Sequence, residues 1–108
     1  MSFKEYLQEA RAKFFIENPA LAATIDDVSP TVIEAVGISV DEYRQQKRIE
    51  VYAKAQEASG KDPEGFCAHI LGVSSDQERA WRFDRHRRTA SALGMEWGEY
   101  KELNRISE

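Results

Sequence analysis

The chain has 108 residues, with 15 Lys and Arg against 19 Asp and Glu for a net charge of −4, and 42% hydrophobic and 31% charged residues. That length supports one core, so the expectation is a single helical domain over residues 1–108. The acidic balance gives no general attraction to phosphate backbones or anionic lipid, no Pro- or Ser-rich tract marks disorder, and no run approaches the roughly 18 to 20 apolar residues of a membrane span.

Cys67 is the sole cysteine, which excludes an intrachain disulfide and a multi-cysteine zinc site and fits a reducing compartment. Ser2-Phe3-Lys4-Glu5-Tyr6 carries charges where a signal peptide needs an apolar run, so the expected location is cytoplasmic.

In chain order, Ser2 and Glu5 form the pattern of a capping box, and Phe3, Leu7, Ala10 and Phe14 then recur at helical spacing, with Tyr6 and Ile16 widening the stripe. Asn18-Pro19 closes this first helix and opens a short second one to about Ile25. Ser29-Pro30 opens a third, with Val32, Ile33 and Val36 as its apolar residues and Gly37 as its stop. Ser39 and Glu42 make another capping box, starting a long polar helix from Val40 to about Ala58 that ends at Gly60. Its apolar positions Val40, Tyr43, Ile49, Val51, Tyr52 and Ala55 form no single stripe, which implies neighbours on two sides.

Asp62-Pro63 starts a helix with Phe66, Cys67, Ile70 and Leu71 on one face before Gly72. Ser75 and Glu78 form a third box, opening a helix from Asp76 to Leu93 that holds Trp81, Phe83 and most of the arginines, and Gly94 ends it. A last helix from about Glu96 to Ile106 offers Trp97, Tyr100, Leu103 and Ile106. No segment alternates at period two and no Asn-Gly or Asp-Gly hairpin turn occurs. The expected fold is therefore all-α, a compact bundle of five to seven helices joined by Gly-, Pro- and Ser-marked corners, with Phe14, Phe66, Phe83, Trp97 and Tyr100 at its core.

Two corners resemble each other. Ala35-Val36-Gly37-Ile38 leads to Glu42-Tyr43-Arg44, and Ala92-Leu93-Gly94-Met95 leads to Glu99-Tyr100-Lys101. A left-handed glycine at C′ followed by an apolar C″ residue that packs back on the helix it ends accounts for each. An internal duplication and two independent corners solving one geometric problem both remain open, since the halves match poorly elsewhere.

The second corner also resembles a helix-turn-helix. Its following helix would present Glu96, Glu99 and Glu102 against Lys101 and Arg105, and carboxylates oppose the phosphate term that dominates such binding. A nucleic-acid reading would rest on Arg44, Lys47 and Arg48 after the first corner and on Arg87 and Arg88 before the second. Arg79, Arg82, Arg85, Arg87 and Arg88 form the most uneven charge feature, yet steps of three along a helix drift by about 60° each, so the run is a spiral. Glu78 can pair with Arg82 and Asp84 with Arg88 at i, i+4. Against that solvated helix stands a protein-contact site in which Arg82, Arg85 and His86 surround Trp81 to receive an acidic surface.

Catalytic and metal constellations fail on geometry. Cys67 and His69 point about 200° apart on one helix, which prevents them from closing on one ion and leaves Cys67 in the apolar set. Neither histidine is placed by sequence as a base for that thiol. Gly60-Lys61 lacks the first glycine of a phosphate loop, Ala55 standing there, and has Asp62 where Ser or Thr should bind magnesium. No enzyme activity, metal or cofactor is expected. The expected role is a small interaction module of adaptor, regulator or inhibitor type whose partner is another protein, with a homo-oligomer also open.

Overall fold

The computed structural model describes residues 2–106, and among them it contains seven helices and no strand. They are α1 (Phe3–Glu17), α2 (Pro19–Asp26), α3 (Pro30–Ala35), α4 (Val40–Ser59), α5 (Pro63–Leu71), α6 (Ser75–Ala92) and α7 (Trp97–Asn104). The all-α class follows from the pattern of helix starts and stops in the sequence. The chain divides into two compact units, the first ending at Gly72 and the second starting at Val73.

In the first unit α1 lies against α2, α4 and α5, and α4 also meets α2, α3 and α5. Four neighbours explain why the apolar residues of α4 make no single stripe, and why Tyr52 alone of its twenty residues is buried. The core is aromatic. Phe14 meets Tyr52 edge-on at 5.6 Å and Phe66 at 6.2 Å, Tyr52 and Phe66 are 5.2 Å apart, and Phe15 stands edge-on to Phe14 at 5.1 Å. Such pairs contribute about 0.5–1.5 kcal/mol each beyond the area they bury. Ala10, Ile25, Ile33, Cys67 and Ile70 fill the space around them. Lys13 Nζ donates to the carbonyl of Ile70 at 2.7 Å, a cation on the open end of α5 where the helix dipole favours it.

In the second unit α6 packs on α7. Tyr100 is buried, Trp97 stacks on it at 5.8 Å, and His86 Nδ1 lies 3.0 Å from the Tyr100 hydroxyl. Of the five aromatic residues expected in the core, Phe14 and Phe66 are joined by Tyr52 and Phe15, Trp97 and Tyr100 pair with each other, and Phe83 is half-buried under Arg79.

The corners follow the glycines. Gly37, Gly60, Gly72 and Gly94 all have positive φ. At Gly94 the full motif forms: its N–H donates to Ser91 O at 3.1 Å and that of Met95 to Ala90 O at 2.9 Å, satisfying two orphan carbonyls of α6. Arg105 does the same at the end of α7 with φ 54, Ile106 N–H donating to Lys101 O at 2.9 Å.

Caps agree in part. Ser39 accepts from Glu42 N–H and Asp62 from Gly65 N–H, as their spacing implies. The expected Ser75–Glu78 box is displaced by one residue: Ser74 is the cap and accepts from Gln77 N–H, because Ser75 already has a place in the helix. Ser2 and Ser29 make no side-chain cap bond, so the Ser2–Glu5 box does not form as expected, and Asn18 turns its amide back to Phe14 O to close α1.

The two kinds of glycine should respond oppositely to one substitution. A Cβ meets nothing within 4 Å at Gly72 or at Gly98. Gly72→Ala should then lose only the left-handed backbone, about 1–2 kcal/mol. Gly98→Ala, inside α7, should gain up to about 0.5–1 kcal/mol of helix propensity. Urea midpoints of the two variants falling on the same side of wild type would contradict this account.

Candidate functional site

A groove of ≈ 810 Å³ opens in the first unit, lined by α1, α2 and α4. Its two long walls are complete helical faces. Gln8, Arg11, Ala12, Phe15 and Ile16 come from α1, and Asp41, Arg44, Gln45, Arg48 and Ile49 from α4, each set at i, i+3, i+4, i+7 and i+8. Ala22 and Asp26, one turn apart, come from α2.

The groove is apolar at one level and ionic at another. Phe15 is buried, whereas Ile16 and Ile49 are 78% and 43% exposed, so two large aliphatic side chains face water beside it. Ile16 therefore departs from the core stripe expected of α1, and Phe15 takes a buried place that the stripe omitted. Arg48 covers Phe15, its guanidinium carbon 5.7 Å from the ring centroid.

Asp26 holds two of the three arginines. Arg44 Nη2 donates to the Asp26 main-chain carbonyl at 3.2 Å and its Nε lies 3.8 Å from Oδ1, while Arg48 Nη2 is 3.4 Å from both carboxylate oxygens. A carboxylate at the last residue of α2 opposes that helix's dipole, and the two guanidiniums offset it. Arg11 differs. Half-buried, it has no carboxylate partner among the described residues. Sequence states the reason: Leu7 and Phe15 stand four residues to either side and Gln8 and Phe14 three, so α1 offers Arg11 no acid to pair with. The lack of an acid at these four positions is visible in the sequence itself.

Of the residues singled out for contact in α6, Arg82 and His86 have partners within their own unit. Trp81 is 6% exposed, so its indole is not presented to a partner. Arg82 pairs with Glu78 at 3.8 Å and Arg88 with Asp84 at 3.4 Å, the two i, i+4 bridges that the spacing implies. Arg79 lies over Phe83, Arg87 over Trp97, and the His86 ring sits 5.7 Å from that of Tyr100. Arg85 is half-exposed on the same helix. The nucleic-acid candidates on α4 are likewise engaged: Arg44 and Arg48 by Asp26, and Lys47 by Glu50 at 3.3 Å. Glu50 also takes Lys54 at 3.2 Å, and these two lysines hold its carboxyl below the usual value.

No group of three or more His, Cys, Asp or Glu among the described residues could hold a metal ion, and no helix there is long and apolar enough to cross a membrane. Cys67 is fully buried, its Sγ 3.7 Å from Tyr6 O, while His69 is exposed. Burial first, then the nearby Glu64 and Glu9, pushes the thiol up to about 11. A thiolate is the reactive form, so this cysteine is inert near neutrality. Burial, with Cys67 adding and Arg11 opposing, pushes Tyr52 up to about 12.

The chain belongs to DUF6388, a family of unknown function, whose profile matches residues 1–106. That match spans both units of this DUF6388 chain. No curated protein and no solved structure matches it.

The buried acids set an alkaline limit. For Cys67 the ordinary value of 9.0 rises to about 11, and for Tyr52 10.0 rises to about 12. A raised pKa favours the neutral form in the fold, so the contribution is complete below pH 9.0 and is lost as pH climbs through about 11 to 12. Urea stability should hold between pH 7 and 9 and then fall, and Cys67→Ala should flatten the first part of the decline. Aromatic-disulfide labelling at pH 8 should proceed at the rate of unfolding. Immediate labelling of the native protein would contradict the buried thiol.

Proposed function

We propose that this chain is a small, non-enzymatic cytoplasmic interaction module that recognises another protein, and that the groove between α1, α2 and α4 is its contact surface. The observation that carries the reading is that Ile16 and Ile49, both exposed, and the half-buried Arg11 line one concave site. Exposed aliphatic side chains framed by arginines are what a protein contact uses: apolar area to bury, and a polar rim that sets orientation. Two turns of matched helical face on either wall suit a segment of regular secondary structure better than a compact small molecule.

The non-enzymatic part is supported by the chemistry of the nucleophile. Cys67 is buried with a raised pKa, and His69 points to the opposite side of α5. Arg82, Arg85 and His86 around Trp81 are the alternative surface; the groove is preferred because bridges and ring contacts of α6 serve that helix and its neighbour α7.

Affinity capture from the native host separates the two surfaces. Ile16→Asp/Ile49→Asp should lose the partners that wild type retains by more than about tenfold, since two carboxylates would have to be desolvated in the contact. Arg82→Glu/Arg85→Glu should keep them. The same recovery with all three proteins would overturn the proposal, and selective loss with the α6 variant would return the surface to that helix.

A further inference from the structure

Arg11 is the feature that the fold leaves unexplained. It is half-buried beside Phe15, Ile16 and Tyr52, faces a groove, and has no carboxylate to pair with among the described residues. A partly desolvated guanidinium without an anion is a cost to the folded chain, and it becomes a gain when a carboxylate arrives. Arg44 and Arg48 are already paired with Asp26, so among the described residues Arg11 is the groove's guanidinium without an ion pair, although Asp41 also lines the groove and Arg44 Nε makes no hydrogen bond.

The walls define what must accompany that carboxylate. From Gln8 to Ile16 the α1 face rises about 12 Å, two helical turns, with Arg11 near its middle and Ile16 at one end. The α4 face runs from Asp41 to Ile49 with the same spacing and also ends in an isoleucine. The ligand must place apolar side chains against Ile16 and against Ile49 and a carboxylate at Arg11, which an amphipathic helix does with apolar residues and an acid spaced i, i+3 or i, i+4 along one face.

We infer that the groove receives an acidic amphipathic helix of a partner protein, with aliphatic side chains on Ile16 and Ile49 and a Glu or Asp carboxylate on Arg11. This rests on the groove being the contact surface, and it adds the chemistry of the occupant. The first unit as a whole is acidic, with 8 Lys and Arg against 12 Asp and Glu up to Gly72. Long-range charge therefore repels such a helix, and recognition depends on the local guanidinium and the apolar contact together. The complex should consequently be moderate in affinity and selective for acids placed next to the anchor.

The probe is a fluorescent synthetic helix of leucine and glutamate in an amphipathic pattern, with glutamine and lysine versions of the same pattern, titrated into the full chain and followed by anisotropy. The glutamate helix should bind the wild type about tenfold more tightly than the glutamine helix, the scale of one charge-assisted hydrogen bond in a partly desolvated site, and the lysine helix should bind least. Arg11→Gln should erase the preference between glutamate and glutamine while leaving apolar binding, and Arg11→Lys should keep part of it. The variants' helical circular dichroism and thermal midpoints establish that they are folded. Ile16→Asp/Ile49→Asp should abolish binding of both helices.

Equal binding of the glutamate and glutamine helices to wild type would overturn the acidic occupant and leave the groove as a contact surface. Binding of no helix would do the same if host partners still depend on Ile16 and Ile49. Binding indifferent to both isoleucines would sink the groove reading as well. A concentration-dependent dimer in sedimentation equilibrium that Ile16→Asp disperses would assign the groove to a second copy, which also overturns the inference.

Discussion

Phe14 is the side chain on which the first unit depends. It meets Tyr52 of α4 and Phe66 of α5, and so ties the first helix to two helices much later in the chain in one aromatic cluster. Its neighbour Phe15 looks to another side of α1, where it lines the groove under Arg48. Adjacent residues on a helix are separated by about 100°, so one helix can serve a core with one ring and a surface site with the next. The groove is thus a by-product of how the core is anchored: fixing Phe14 between α4 and α5 fixes Phe15, Arg11 and Ile16 on the face that α2 and α4 border.

Electrostatics divides the arginines into two kinds. Arg82 and Arg88 of α6 have acids one turn away, and Arg44 and Arg48 of α4 share an acid at the end of α2. Glu78 meets Arg82, Asp84 meets Arg88, and Asp26 meets both Arg44 and Arg48. Exposed pairs of this kind contribute about 0–1 kcal/mol apiece, so their value lies less in stability than in removing positive potential from the surface. A cluster of arginines counted along the sequence therefore overstates the field that a partner would meet. Arg11 stands outside this pattern because its helix supplies no acid at three or four residues in either direction.

Much of the fold could be read from the chain because its punctuation is local. A glycine forced to positive φ, a Ser or Asp that caps an N-terminus and a proline in a first turn act within four residues, and Gly37, Gly60, Gly72 and Gly94 all close helices as their positions imply. Errors arise where two local solutions compete. Ser74 and Ser75 are equally good caps by composition, and the fold selects the first. Ile16 reads as core by its hydrophobicity, yet it lies about 100° from Phe15 and two residues from Phe14, so burying both rings turns it outward to 78% exposure.

The candidate site was legible only in fragments. Arg44 and Arg48 are visible in the sequence as cations, but the acid that neutralises them, Asp26 at the end of α2, lies some twenty residues earlier and is brought to them only by the fold. Ile49 looked like one more irregular apolar position in a helix with too many neighbours. What joins Arg11, Ile16 and Ile49 is the approach of α1 to α4, and that approach is set by a phenylalanine and a tyrosine inside the unit. Tyr52 carries the link in the other direction, since Arg11 opposes the burial that raises its phenol.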